Sequence, residues 1–322
     1  MYSVEDISQL IANGKKLLLA GDENLLNKLP QGDWIGGSIP YFMSDKGGII
    51  TKDKIYANIL PDYVSSIKIK TYDIASIKDV YKDCYDNGFS VIIIPAFSET
   101  HLSFAINAPD YKDFAVHPMI GWISGYYLGD SGVSAKSFAG NPSSASTKDA
   151  VVMHIELPKS KYADLDIINL FSQGDGDTIE FEESGFSAKD ALINGEKMNF
   201  ANYLKKKGID TRLPLVADYN SVMINISVQN VAIDKVDFYA PVFKGIQYKF
   251  ASPVTNYIEA FNAELANKHG VFPTFSCNCI LNFLYSELEG KSTGNITGPI
   301  TFGEIGYQLL NQTLVTIEIK DL

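Results

Sequence analysis

A cysteine and a carboxylate are the residues best placed for chemistry in this 322-residue sequence. Phe275-Ser276-Cys277-Asn278-Cys279 reads as the end of a strand and the start of a helix. A helix N-terminus lowers the pKa of a nearby thiol, so Cys277 is placed to be reactive, with His269 just upstream in sequence. The competing reading is packing: free cysteines behave as small core residues, and a one-residue gap is not the spacing of a zinc site. Glu304, within Phe302-Gly303-Glu304-Ile305-Gly306-Tyr307, could hold an ammonium group, with aromatic neighbours to wall a pocket. Trp34-Ile35-Gly36-Gly37-Ser38-Ile39-Pro40-Tyr41 adds glycines that let a ligand approach the backbone. Asn278, at the expected helix start, would offer free N–H groups to an anion. The expected ligand-binding set is therefore Gly36, Gly37 and Ser38 on one side of a cleft, and Cys277, Asn278, Gly303 and Glu304 on the other.

No complete catalytic set accompanies these residues. There is no G-x-S-x-G elbow, and Gly37-Ser38 lacks the following helix that such a serine needs. His101, His117, His154 and His269 are scattered and match no metal motif. Asp175 and Asp177 begin like a calcium loop, but Ile179 and Glu180 stand where a ligand and a glycine are required. Neither phosphate-binding glycine motif occurs, which weakens nucleotide enzymes. The residues imply no cofactor and no metal.

Composition narrows the partners. The net charge is -11 and Arg212 is the single arginine, the opposite of a nucleic-acid footprint or of a surface attracted to anionic membranes. Lys205-Lys206-Lys207 is the densest basic cluster and reads as the last turn of a helix complementing its dipole. Three cysteines suit a reducing compartment, Glu5 and Asp6 oppose a secretory leader, and no run reaches the ~18 apolar residues of a membrane span. The expectation is a cytoplasmic protein whose partner is a small molecule.

The elements that must position the candidates read as α/β: two lobes with mixed sheets and flanking helices, divided as residues 1–205 and 206–322. Ser3, Asp22, Ser98 and Asn199 are expected helix caps. Phe89–Ala96 is apolar nearly throughout, as a strand covered on both faces should be. Ala75–Asn87 reads as a helix, Pro253 opens a helix through Lys268, and Asn278–Leu288 forms another. Gly129–Lys148 reads as a long mobile loop over or beside the cleft. An echo links the ends of the chain. Leu17–Ala20, Asp22–Leu29 and Trp34–Phe42 repeat the strand, helix and glycine-bearing strand of Phe272–Ser276, Asn278–Leu288 and Gly298–Ile305, which suggests two related halves.

These segments carry a resemblance. Phe275-Ser276-Cys277, Gly298-Pro299-Ile300-Thr301-Phe302-Gly303-Glu304-Ile305 and Asn311-Gln312-Thr313-Leu314 resemble the C-terminal part of FIST sensory domains. Gly36-Gly37-Ser38 resembles the N-terminal signature of that family, and Pro214-Leu215-Val216 with Asn220-Ser221 the opening of its C-terminal part. The match departs at Ile39-Pro40-Tyr41, where a second Gly-Glu is usual, and at Asn278, where an arginine is frequent. The resemblance implies a sensory module for an amino acid or related metabolite, read out by a separate signalling protein. Two other readings stay open: an enzyme using Cys277 or a cleft carboxylate, and a scaffold for a signalling partner.

Overall fold

A computed structural model describes residues 1–64, 66–219, 222–267 and 273–322, so His269, Asn220, Ser221, Lys268 and Phe272 lie outside the described residues. The fold is α/β with mixed sheets and few helices, 41% strand against 19% helix, so sheets carry the architecture and helices flank them.

Local sequence accounts for several boundaries. Helix α1 (Val4–Ala12) starts on a capping box: Ser3 Oγ accepts from Asp6 N at 3.1 Å, and the Asp6 carboxylate accepts from Ser3 N at 2.9 Å. Helix α2 (Glu23–Leu26) is capped by Asp22, and α3 (Glu99–Asn107) by Ser98. Helix α4 (Phe200–Lys207) begins at Asn199 and ends where Gly208 turns to φ +64°, a left-handed conformation glycine adopts without penalty. Helix α5 spans Tyr257–Asn267 and α6 spans Ile280–Tyr285. The segment expected as a helix over Ala75–Asn87 is a shorter 3₁₀ helix over Ile77–Asp83.

Three sheets meet at the centre. The first has the order β5-β1-β2-β9, with β1 (Leu17–Gly21) parallel to β2 (Trp34–Ser38), flanked by β5 (Tyr56–Ile59) and β9 (Ser137–Ala139). The second joins β6 (Ile67–Tyr72), β10 (Ala150–Glu156), β7 (Gly88–Pro95) and β8 (Met119–Ser124), then β23 (Glu304–Gly306) and β24 (Gln308–Leu310). Within it β7 and β8 are parallel. The third runs β4 (Gly47–Ile50), β3 (Tyr41–Ser44), β22 (Gly298–Thr301), β21 (Phe275–Cys279), β25 (Leu314–Asp321) and β11 (Lys161–Ile168). Strands β12 to β20 run between Ile179 and Phe250 and build two further sheets.

The second sheet is covered on both faces, as the apolar run of β7 requires. Val91 and Ile93 enter one core with Ile120, Trp122 and Cys277, while Ile92 and Ile94 enter the other with Phe104, Met119 and Ile123. The period-2 alternation of a strand makes this division automatic once both faces are buried.

The expected division near residue 205 is not followed by the strand pairing. The second and third sheets each take strands from both sides of it, through β8–β23, β3–β22 and β11–β25. The echo has a local counterpart: β1–α2–β2 and β21–α6–β22 are both parallel strand–helix–strand units. Each expected glycine-bearing strand then breaks and changes sheet, at Ile39-Pro40 between β2 and β3, and at Phe302-Gly303 between β22 and β23. Pro40 supplies no N–H for the ladder at the first break.

Candidate functional site

The seven candidates are all buried. Cys277 and Asn278 lie within strand β21, and α6 begins only at Ile280, so the thiol expected at a helix start is in a sheet interior. Cys277 Sγ donates to the Gly121 carbonyl at 3.2 Å, and burial with the nearby Glu304 holds the thiol well above its ordinary pKa. That is the packing reading, and it opposes thiolate chemistry. Glu304 is fully buried; its Oε1 accepts from Thr313 N at 2.8 Å and Thr313 Oγ1 at 2.7 Å. Desolvation pushes this carboxyl up to about 8, opposed by the Thr313 hydrogen bonds. Asn278 Oδ1 accepts from Cys279 N at 2.8 Å and Asn282 Nδ2 at 2.9 Å. Glu304 Oε2, Asn278 Nδ2 and Asn282 Oδ1 remain unpartnered in the same cluster.

The glycines serve packing. A Cβ on Gly37 would come within 2.7 Å of Ile93 Cγ2 and 2.8 Å of Trp122 Nε1, and one on Gly303 within 2.8 Å of Leu309 Cδ1. Gly36 faces the Trp34 ring, where a Cβ would sit at 3.3 Å. Hence Gly36, Gly37 and Gly303 let sheets approach one another; they do not open the backbone to a ligand. Of the seven, Ser38 borders a surface cavity. The expected cleft between Gly36–Ser38 and Cys277–Glu304 is filled by β8, whose Trp122 stacks on Phe275 at 5.3 Å.

A different site forms where parallel strands end. Gly125 N donates to the Ser38 carbonyl at 2.7 Å, and Ser38 Oγ donates to the Gly125 carbonyl at 2.8 Å. These bonds bring the carboxyl end of β2 against that of β8, beside the turn from β7 into α3. Carboxyl ends of parallel strands are where open α/β sheets bind ligands. A cavity of about 560 Å³ lies there, between Asp73-Ile74, Ala96–Thr100 and the loop residues Val133–Ala135 and Thr147–Asp149. A smaller one of about 80 Å³ adjoins it, sharing Tyr126, Val133 and Ser134, and reaches Asp22, Ser38 and Lys52.

The loop expected over Gly129–Lys148 does border this groove, but it is tethered. Its residues 137–139 form β9 on the edge of β2, Phe138 is fully buried, and Lys136 N donates to Ser38 Oγ at 2.8 Å. At the turn into α3, Phe97 holds φ +63°, is 58% exposed as a residue, and donates its N–H to His101 Nδ1 at 3.1 Å. Left-handed backbone in a bulky residue costs about 1–2 kcal/mol, and here it keeps an aromatic ring at the cavity wall. Burial pushes His101 down to about 4, so it stays neutral and can accept that bond.

Asp73, Ile74, Phe97, Thr100 and Tyr126 were not candidates from sequence; the Ser98 cap was their one local signal. Sequence reading also missed a buried relay. Ser90 Oγ lies 2.8 Å from His154 Nδ1, His154 Nε2 lies 2.9 Å from Tyr72 Oη, and Tyr72 donates to Asp83 at 2.7 Å. Half-buried Cys84 lies 3.8 Å from His154 Nδ1. Ser90 and His154 are fully buried, and burial pushes Cys84 up and His154 down to about 4. The relay ties β6, β7 and β10 together and leaves its serine unreachable.

Among the described residues no group of His, Cys, Asp and Glu could hold a metal ion, and no helix is long and apolar enough to cross a membrane. No curated protein and no solved structure matches the chain. A family model does match, over residues 2–320, and the chain therefore belongs to DUF6976, a family of unknown function.

Proposed function

We propose that the protein is a small-molecule-binding module whose ligand sits in the groove at the ends of β2, β7 and β8. The observation that carries this reading is the cavity of about 560 Å³, which lies within the size range of small-molecule sites. Exposed apolar side chains gather on it: Ile74 at 50%, Phe97 at 58% and Val133 at 41%. A strained aromatic held open to solvent is costly unless something covers it. The sensory role, the amino-acid class of ligand and a separate signalling partner rest on the FIST resemblance alone, and the cytoplasmic location on the cysteine usage and the acidic N-terminus. The enzyme reading loses its nucleophile, because Cys277 is buried with its thiol pushed up.

A thermal-shift screen against metabolites tests the proposal. A ligand at about 100 times its dissociation constant should add about 2.7 kcal/mol of stability. Ser134 is exposed and borders both cavities. Ser134→Trp should fill the groove and abolish the shift while leaving the unliganded melting temperature close to wild type. A ligand whose shift survives this substitution binds elsewhere, and the groove reading then fails.

A further inference from the structure

We propose that the groove selects a small organic ammonium with an apolar body. This rests on the reading of the groove as a binding site and specifies what enters it.

Charge comes first. The larger cavity is bordered by Asp73, Glu99 and Asp149 against the single cation Lys148. The smaller is bordered by Asp22, Glu23 and Asp130 against Lys52. In the smaller one, two carboxylates are already engaged: Lys52 pairs with Asp130 at 2.6 Å and Lys136 with Glu23 at 2.6 Å. That leaves Asp22 alone in the smaller cavity, whereas the larger has three carboxylates to one lysine and so carries the greater negative excess. Asp73 stays ionised, because the Ser76 hydroxyl and backbone N–H hold its carboxyl below the usual range. The N-terminus of α3 opposes this with about half a positive charge. Ser98 Oγ already accepts from His101 N at 3.1 Å there, so the acidic balance prevails.

Shape and an unmet hydrogen bond supply independent support. Thr100 is 2% exposed and borders the cavity, and its hydroxyl finds no partner among the described residues. A hydroxyl at the cavity wall that no protein group engages is free to bond a polar group of a ligand. Around it stand Ile74, Phe97, Val133 and Tyr126. These walls suit an apolar body, and an aromatic face attracts a cation through its ring quadrupole. An anion meets three carboxylates here, and a neutral polar molecule leaves the apolar rim uncovered.

Three probes of one shape test this by calorimetry and thermal shift: 2-phenylethylamine, 2-phenylethanol and 3-phenylpropionate. The amine should bind at least about tenfold more tightly than the other two, and its affinity should fall as salt is raised. Asp73→Asn combined with Glu99→Gln should remove most of that preference, while Phe97→Ala should weaken the amine and the alcohol alike. If the alcohol or the acid binds as tightly as the amine, and Ser134→Trp abolishes that binding, the ammonium class is overturned and the groove stands. If amine binding survives Ser134→Trp, site and class fall together. If none of the probes binds, the ammonium class is overturned.

Discussion

The groove and the Glu304 cluster are built from the same kinds of residue and behave in opposite ways. Both combine carboxylates, small polar side chains and aromatics near the ends of parallel strands. In the groove the carboxylates Asp73 and Glu99 are exposed, and the aromatic Phe97 is held out by strained backbone. In the cluster, Glu304 is fully buried, its neighbours Cys277, Asn278 and Cys279 are at most 3% exposed, and three polar atoms lack partners. The comparison teaches that residue type does not separate a binding site from a polar core. What separates them is whether a third element lies on top. Strands β8 and β25 cover the cluster, whereas only a tethered loop flanks the groove.

The pH dependence of stability sharpens this contrast most. Glu304 rises from an ordinary value of 4.5 to about 8 on folding, so the folded state keeps a proton the unfolded chain releases. Its contribution is fully present below about pH 4.5 and is lost as pH rises through 8, a change on the order of a few kcal/mol. His101 and His154, both pushed down to about 4, act in the opposite direction and lose stability as pH falls below 6.5. Denaturant unfolding of wild type and Glu304→Gln at pH 5 and pH 8.5 isolates the carboxyl, since the histidines cancel in the difference. The wild type should lose stability relative to the variant at the higher pH. Equal changes in both would mean that Glu304 is ionised and solvated, and the cluster would then be an open site.

Overpacking gives the next largest effect. Cys277→Phe should cost about 1–3 kcal/mol, because the new ring meets the Gly121 backbone and Trp122 with nowhere to go. A folded variant with unchanged melting temperature would show that Cys277 faces open space. Ser134→Trp, the corresponding change in the groove, should stay within about 0.5 kcal/mol of wild type.

Phe97→Gly should be mildly stabilising, by about 0.5–1 kcal/mol, since glycine adopts positive φ freely and little buried apolar area is lost from a residue 58% exposed. It should also weaken binding of 2-phenylethylamine, so stability and affinity would move in opposite directions. Loss of both would make Phe97 a packing residue. The smallest signal is chemical: with a thiol reagent at pH 8 the native protein should show Cys84 reacting slowly and Cys277 and Cys279 not at all, all three becoming reactive on unfolding. Fast labelling of Cys277 would reverse the assignment of the two regions.

Much of this molecule is local and was readable in the chain. The caps Ser3, Asp22, Ser98 and Asn199 each bond a backbone N–H two or three residues on, so their chemistry is complete within one turn. Phe89–Pro95 shows in its own composition that both faces are covered, and the two strand–helix–strand units appear at both ends of the sequence. Tertiary structure alone decided what those units enclose. Glu304 is buried because β23 pairs with β8 and Thr313 bonds its carboxylate, and Cys277 because β21 lies between β22 and β25. The groove likewise joins Asp73, Phe97, Tyr126 and Ser134, four segments with no shared motif. Burial of a polar side chain depends on partners scores of residues away, and no local periodicity encodes that distance.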